Sequence, residues 1–248
     1  MGYNIIVLVK QMPDLEQVKP DPSTGEPQLR NVPLKVENLS ENSIVAAVRL
    51  KEKYGGTVTA IIFGTDQSTA IMKKAYDMGA DNGYIITGYQ GNDVSFTARV
   101  LAQKIKNTPH DITILGNQSA DSISGLLAGK LSALLGEPLV GNAISVDIEN
   151  GSARVKRVLE DHNLIVEARL PAIVSVTQEI NEPRLPPVMQ IMAAGRKPIN
   201  SEKASLSPAG AVRIISNRAP KSERKKIVIE DVDKRLDEIV KVIKEEMR

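Results

Sequence analysis

The chain has 248 residues, with 32 Lys and Arg against 30 Asp and Glu and a formal net charge of +2, a balance that does not imply a polyanion-binding face. It has no cysteine, no tryptophan and two phenylalanines, which excludes disulfides, thiolate catalysis and zinc–thiolate sites and argues against stacking platforms for nucleic acid. No apolar run approaches a membrane span, Met1-Gly2-Tyr3-Asn4 leads into a strand rather than a signal peptide, and Ile6 stands where a myristoylation signal needs Ser or Thr.

These features predict a cytoplasmic protein with no nucleic-acid partner and no direct membrane insertion. His110 and His162 have no partner at metal-ligand spacing and read as turn residues, so no metal site is expected.

Asn4 to Val9 is an apolar run of strand length. Ser40 to Lys53 reads as a helix, with Ile44, Ala47, Val48 and Leu50 on one face and Gly55-Gly56 ending it. Thr57 to Phe63 is the next strand, Gln67 to Met78 a helix, Asn82 to Ile86 a third strand. Asp93 to Lys106 is a helix capped by Asn92 or Asp93, Asp111 to Leu115 a fourth strand, and Asp121 to Leu135 a helix apolar on nearly every face. Strands alternating with helices imply right-handed βαβ units and a parallel sheet covered on both faces.

After Gly136-Glu137-Pro138 the pattern changes. Leu139 to Ile148 and Ser152 to Leu159 form strands across Glu149-Asn150-Gly151, a hairpin signal, and Ile165 to Arg169 and Ala172 to Thr177 complete a mixed second half. The expected fold is a Rossmann-like three-layer α/β sheet, parallel in the first half and mixed in the second, with a C-terminal helical arm. Residues 1–200 form the nucleotide-binding domain and 201–248 a linker and arm. Residues 201–220 carry Ser, Pro, Ala and Gly without periodicity, and Asp231 to Met247 is an amphipathic helix with a stripe of Val232, Leu236, Ile239, Val240 and Ile243. That stripe packs either on its own domain or on another subunit.

The segment after Thr177 is unusual. Pro183, Pro186, Pro187, Val188, Met189, Ile191 and Met192 are apolar, yet the prolines argue against a helix. Two readings stand: a loop over the chain's own core, or a stiffened segment presenting apolar side chains to a partner.

In open α/β sheets ligands bind outside the carboxyl ends of the strands, where strand order reverses. That selects the loops after Val9, Phe63 and Leu115. The third, Gly116-Asn117-Gln118-Ser119-Ala120-Asp121-Ser122-Ile123-Ser124-Gly125, is rich in small polar residues. Gly116 permits close backbone approach, and Asp121 and Ser122 are placed to cap the following helix, whose free N–H groups suit a phosphate with help from Ser122 and Ser124. Ordinary helix capping is the alternative. There is neither G-x-G-x-x-G nor a P-loop.

The stretch from Leu170 reads L-P-A-I-V-S-V, then N-x-P-R, then I-M-x-A and a basic residue, at Asn181, Pro183, Arg184, Ile191, Met192, Ala194 and Lys197. It resembles the signature of the electron transfer flavoprotein β-subunit family. The resemblance implies a subunit that carries electrons and is not itself an enzyme. Its α-subunit would hold the main FAD and be wrapped by the C-terminal arm. Dehydrogenases would supply the electrons, and a quinone oxidoreductase or other acceptor would receive them.

The resemblance places partner recognition at Pro183, Arg184, Val188 and Met189, with Val188 as the apolar anchor. It implies AMP or a second FAD bound by Leu8, Asn38, Leu39, Ser40, Glu41, Phe63 and Gly64. The third loop, Gly116 to Gly125 with Leu126 and Leu127, would hold the phosphate, matching G-x-Q-x-x-D at Gly116, Gln118 and Asp121. Two departures stand out. Asn38-Leu39 replaces Asn-Pro, and Asp121 to Leu126 replaces D-x-D-T-A-Q, removing an acid and an amide.

Val9-Lys10-Gln11-Met12-Pro13-Asp14 resembles the V-K-Q-x-P-D of flavin-bifurcating members, which carry a second FAD where simpler members carry AMP. Asp14, Lys19 and Asp21 read equally as a solvated run. Arg157 matches a basic position on a strand facing the flavin in relatives, or else pairs with Glu160 or Asp161. The rival functions are a stand-alone adenine-nucleotide-binding regulatory module resembling stress proteins and an ATP-cleaving enzyme. The latter lacks a phosphate-loop Lys and acidic metal ligands.

Overall fold

The computed structural model describes residues 2–89, 93–183, 186–206, 212, 214–220 and 235–246. They fall into two units, residues 1–19 with 28–216, and residues 20–27 with 217–248.

The chain opens with β1 (Tyr3–Leu8), followed by four short strands, β2 (Gln11–Pro13), β3 (Lys19–Pro20), β4 (Pro27–Gln28) and β5 (Leu34–Val36). Antiparallel pairing of β2 with β5 brings Gln11 opposite Val36 and returns the chain to the end of β1. Helix α1 (Asn38–Tyr54) leads to β6 (Gly56–Gly64), α2 (Thr69–Asp77) to β7 (Asn82–Thr87), α3 (Val94–Lys106) to β8 (Ile112–Gly116), and α4 (Leu127–Leu135) to β9 (Leu139–Glu149). The hairpin β9–β10 (Ser152–Val158) turns at Asn150 and Gly151, both with positive φ, as a two-residue turn of this hand requires. Then come β11 (Asn163–Arg169), β12 (Ala172–Val176), α5 (Val188–Ala194), β13 (Asn200–Lys203) and α6 (Leu236–Glu246).

Among the described residues the main sheet has nine strands in the order β11-β10-β9-β12-β8-β1-β6-β7-β13. From β9 through β12 to β13 every pairing is parallel, and β9, β10 and β11 are antiparallel. Period-two alternation in β1 sends Ile5 and Val7 to one face, where they pack with Ile44, Ala47 and Leu50 of α1 and Met72 and Ala75 of α2. Ile6 and Leu8 go to the other, against Phe96, Leu101 and Ile105 of α3 and Leu131 of α4. Both faces are thus covered, giving three layers. Each fully buried Ile contributes roughly 1.5–3 kcal/mol.

Three expectations are corrected. The helix expected from Asp121 begins at Leu127: Ile123 (φ 46) and Gly125 (φ 61) lie in left-handed backbone, which interrupts a right-handed helix. The proline-interrupted segment does contain a helix, α5, because its prolines all precede Val188 and Pro187 is the N-cap, where a missing N–H costs nothing. The linker expected from residue 201 starts with β13, which pairs in parallel with β7 while all four of its residues stay exposed. Asn92, the alternative cap of α3, lies outside the described residues; Asp93 caps it, Oδ1 accepting from Ser95 N at 2.8 Å.

In the smaller unit Ala219 N donates to Gly25 O at 2.8 Å. Helix α6 exposes Leu236, Val240, Val242 and Ile243. Val232 of the expected stripe lies outside the described residues.

Candidate functional site

From β1 the chain runs outward to β6 and β7, then crosses back to lay β8 on the other side of β1. The reversal lies between β1 and β8, so the segments after Leu8 and Gly116 face each other. Gly116 allows this: a Cβ there would lie 2.7 Å from Leu39 Cβ, inside van der Waals contact. The first turn of α1 therefore rests against the end of β8.

That turn is built by a residue the sequence reading passed over. Glu37, 2% exposed, is the N-cap of α1, and its Oε2 accepts from Ser40 N at 2.9 Å and Ser40 Oγ at 3.2 Å. Ser40 Oγ accepts from Lys10 N at 3.0 Å, and Glu37 N donates to Lys10 O at 3.0 Å. Burial pushes the Glu41 carboxyl up, with Glu37 adding to it, against the opposing pull of Lys74. A charged residue reads as solvated in sequence, so only an N-cap signal before Asn38 would have found Glu37.

Lys10 reaches across to the third loop. Its Nζ lies 2.6 Å from Asp121 Oδ1 and donates to Ser119 Oγ at 2.9 Å. Ser119 Oγ donates to Asp121 Oδ1 at 2.7 Å and lies 3.0 Å from Ser122 Oγ. Asp121 and Ser122 thus cluster around Lys10 rather than capping a helix. Helix α4 has Leu126 as N-cap and no side-chain cap hydrogen bond, which leaves its first N–H groups open to a ligand. Gln118, Ala120, Ser124, Gly125 and Leu126 are exposed, and Ile123 is 65% exposed. Asn117 is turned inward, its N bonded to Val176 O at 2.9 Å and its Oδ1 accepting from Ser175 Oγ at 3.2 Å.

At the end of β6, Phe63 packs edge-on against Tyr89 and Phe96, with centroids 5.5 and 5.8 Å away. Burial, and then the negative charge of Asp121, push the Tyr89 phenol up, so Tyr89 stands beside the third loop. Tyr89 follows Gly88 outside any recognisable motif, and the sequence gives no signal for it. Gln11 Oε1 accepts from Ser68 Oγ beside Gly64. Asp14 faces Lys35 at 3.0 Å and Gln17 at 2.8 Å, and hydrogen bonds from those two hold its carboxyl below the usual range. Val9 is buried, Asn38 exposed, and Pro13 and Leu39 half-buried. The structure therefore joins Lys10, Ser40, Gly116, Ser119, Asp121 and Ser122 around the switch point, while Asp14 belongs to a local ion pair.

The residues fit an adenine nucleotide. Gly116 offers close backbone approach, the uncapped start of α4 offers free N–H groups, Lys10 adds a cation shared with Asp121, and Phe63 and Tyr89 offer apolar walls. Ile123 and Leu126 make fewer polar contacts available than an acid and an amide would.

A separate open concavity of about 530 Å³ is lined by Asn142, Val158, Leu159, Glu160 and Asp161. It adjoins a register shift at Lys156/Arg157 and the left-handed Asn142 (φ 57). The alternative pairing of Arg157 with Glu160 or Asp161 is corrected: Arg157 Nε is buried without a hydrogen-bond partner among the described residues. His110, expected as a plain turn residue, pairs with Glu137 at 2.9 Å.

In the third candidate region, Val188, Met189 and Met192 are 73%, 77% and 61% exposed, and Pro183 is exposed. Arg184 lies outside the described residues. Among the described residues, no helix is long and apolar enough to cross a membrane.

The fold is that of the Rossmann-like three-layer α/β proteins. The electron transfer flavoprotein domain family matches residues 29–207. The electron transfer flavoprotein subunit beta of Thermoanaerobacterium thermosaccharolyticum is 31% identical over 233 residues, covering 89% of this chain and 90% of that protein. The caffeyl-CoA reductase-Etf complex subunit CarD of Acetobacterium woodii is 32% identical over 211 residues, 82% of this chain and 80% of that protein. The electron transfer flavoprotein subunit beta of Mycobacterium bovis is 29% identical over 238 residues, 88% of this chain and 89% of that protein. The chain belongs to the electron transfer flavoprotein β-subunit family. Membership makes it an electron-carrier subunit, associated with a flavin at the level of the complex and with an α-subunit.

Proposed function

We propose that this chain pairs with an α-subunit, accepts electrons from dehydrogenases and passes them to a further acceptor through an FAD held largely by that α-subunit. It binds one adenine nucleotide of its own, AMP or a second FAD, between the loops after β1, β6 and β8. Bound flavin supplies the redox chemistry; the protein orients it and tunes its surroundings. The observation that carries the nucleotide reading is the convergence of Lys10, Ser40, Gly116 and the Ser119–Ser122 cluster at the reversal of strand order.

Each part has a role in this reading. The open N–H groups of α4, with Lys10, would hold the phosphate, Phe63 and Tyr89 would flank the base, and Arg157 would contribute positive charge near the main flavin. Val188 and Met189 dock on the dehydrogenase. The caffeyl-CoA reductase complex named for the Acetobacterium relative supports attachment to an acyl-CoA-type redox partner.

The test is co-purification with the α-subunit, followed by acid extraction and counting of nucleotides. Two FAD per αβ pair identify the bifurcating form, and one FAD with one AMP the simple carrier. Recovery of neither at this site from a gently purified complex removes the nucleotide reading.

A further inference from the structure

The described residues from Asn181 to Pro198 are tied down at both ends, with Val188, Met189 and Met192 exposed between them. At the far end Ala194 is 2% exposed, Lys197 Nζ donates to Ala80 O at 2.6 Å, and Tyr76 OH donates to Pro198 O at 2.6 Å. At the near end Asn181 meets Asn42, in the second turn of α1 and 139 positions away in sequence. Asn42 Nδ2 donates to Asn181 O at 2.7 Å and to Asn181 Oδ1 at 3.3 Å. Asn181 Nδ2 donates back to Asn42 O at 3.0 Å. The two side chains are 4% and 9% exposed. Each amide thus satisfies the other's backbone, and neither has water to fall back on.

We infer that Asn42 and Asn181 are positioning residues for partner recognition: their reciprocal amide bonds fix the root of the apolar docking segment on helix α1. The inference rests on the reading of Val188 and Met189 as docking residues. An amide is needed at both positions because each must donate to a carbonyl. A carboxylate of the same size would face that carbonyl with no proton to give, and an alanine would leave it unpaired. With the root released, α5 would keep its packing on α2 and its anchors at Lys197 and Pro198 but lose its fixed start, and presenting the same apolar face would carry an added ordering cost.

The test is amide hydrogen exchange on the intact αβ complex, comparing peptides across 188–195 with peptides from β1, β6 and β8. No partner dehydrogenase is needed, so failure here is distinct from failure of the docking reading, which Val188→Asp addresses. Asn181→Asp should speed exchange at Gln190, Ile191 and Gly195, whose N–H groups bond within the segment, by about tenfold while the sheet peptides stay unchanged. Asn42→Ala should do the same and stands in if Asn181→Asp fails to fold. The double variant Asn42→Ala/Asn181→Ala should be no faster than either alone, since both remove one interaction. Unchanged exchange in the segment, acceleration spread equally over the sheet, or additive effects would each overturn the assignment.

Discussion

Gly116→Ala probes the contact that brings the nucleotide loops together. The added Cβ would sit 2.7 Å from Leu39 Cβ, 3.5 Å from the Leu39 carbonyl carbon and 3.6 Å from Glu37 Oε2. Carbon atoms rest at about 3.5–4.0 Å, so the first turn of α1 must retreat by roughly 1 Å. Leu39 Cβ is fixed to the helix backbone and cannot swing aside. Overpacking of this kind costs about 1–3 kcal/mol. Gly116 has ordinary backbone for an L residue, so reduced freedom of the unfolded chain returns about 0.4–1 kcal/mol. The net expectation is a loss of about 1–2 kcal/mol, read as a lower urea midpoint at unchanged slope. The retreat also strains the Lys10 N–Ser40 Oγ and Glu37 N–Lys10 O bonds, so the purified αβ complex should retain less nucleotide. Leu39→Gly removes the opposing atom, and the double variant should lose less than the sum of the singles. Additive losses, or full stability of Gly116→Ala, would refute the close-approach reasoning.

Val188→Asp should leave stability within about 0.5 kcal/mol, since Val188 is 73% exposed. Reduction of the complex by its dehydrogenase should collapse at normal flavin content, because a carboxylate buried unpaired at an interface costs on the order of several kcal/mol; normal transfer kinetics would place the anchor elsewhere. Truncation after Ala219 removes α6 with its exposed Leu236, Val240 and Ile243 and should raise the dissociation constant for the α-subunit while the α/β sheet keeps its circular dichroism. Glu41→Gln should be more stable than the native chain at pH 7. Burial raises the Glu41 pKa in the fold, so native stability from this group is present below the unfolded value of about 4.3 and is lost as pH rises through the folded one. The variant's advantage should therefore shrink on acidification and vanish below that value, and an advantage independent of pH would contradict the assignment.

The parallel half of the fold was legible because its strands are continuous apolar runs separated by helices of clear period. Runs such as Ile5-Ile6-Val7-Leu8 send side chains alternately into two cores and leave no polar face to confuse them. Order in the sheet was not legible: nothing local distinguishes β8 as the neighbour of β1 from β8 as an outer strand, and β13 joins the edge by backbone bonds that leave no apolar pattern. The loop after β8 shows why a correct location gave a wrong local structure. Asp121-Ser122 before an apolar stretch carries the chemistry of a helix cap, but capping needs the backbone to continue right-handed, and Ile123 and Gly125 do not. Once the turn leaves the helix, Asp121 is free to bond Lys10 across the sheet, a contact between residues 111 positions apart that no local pattern encodes. The same holds for Asn181. In sequence it is one letter of a motif; in the fold its role is defined by Asn42, whose position follows from where α1 starts, and that start is set in turn by Glu37. Residues whose partners are local were readable, and residues whose partners arrive through topology became readable only with the structure.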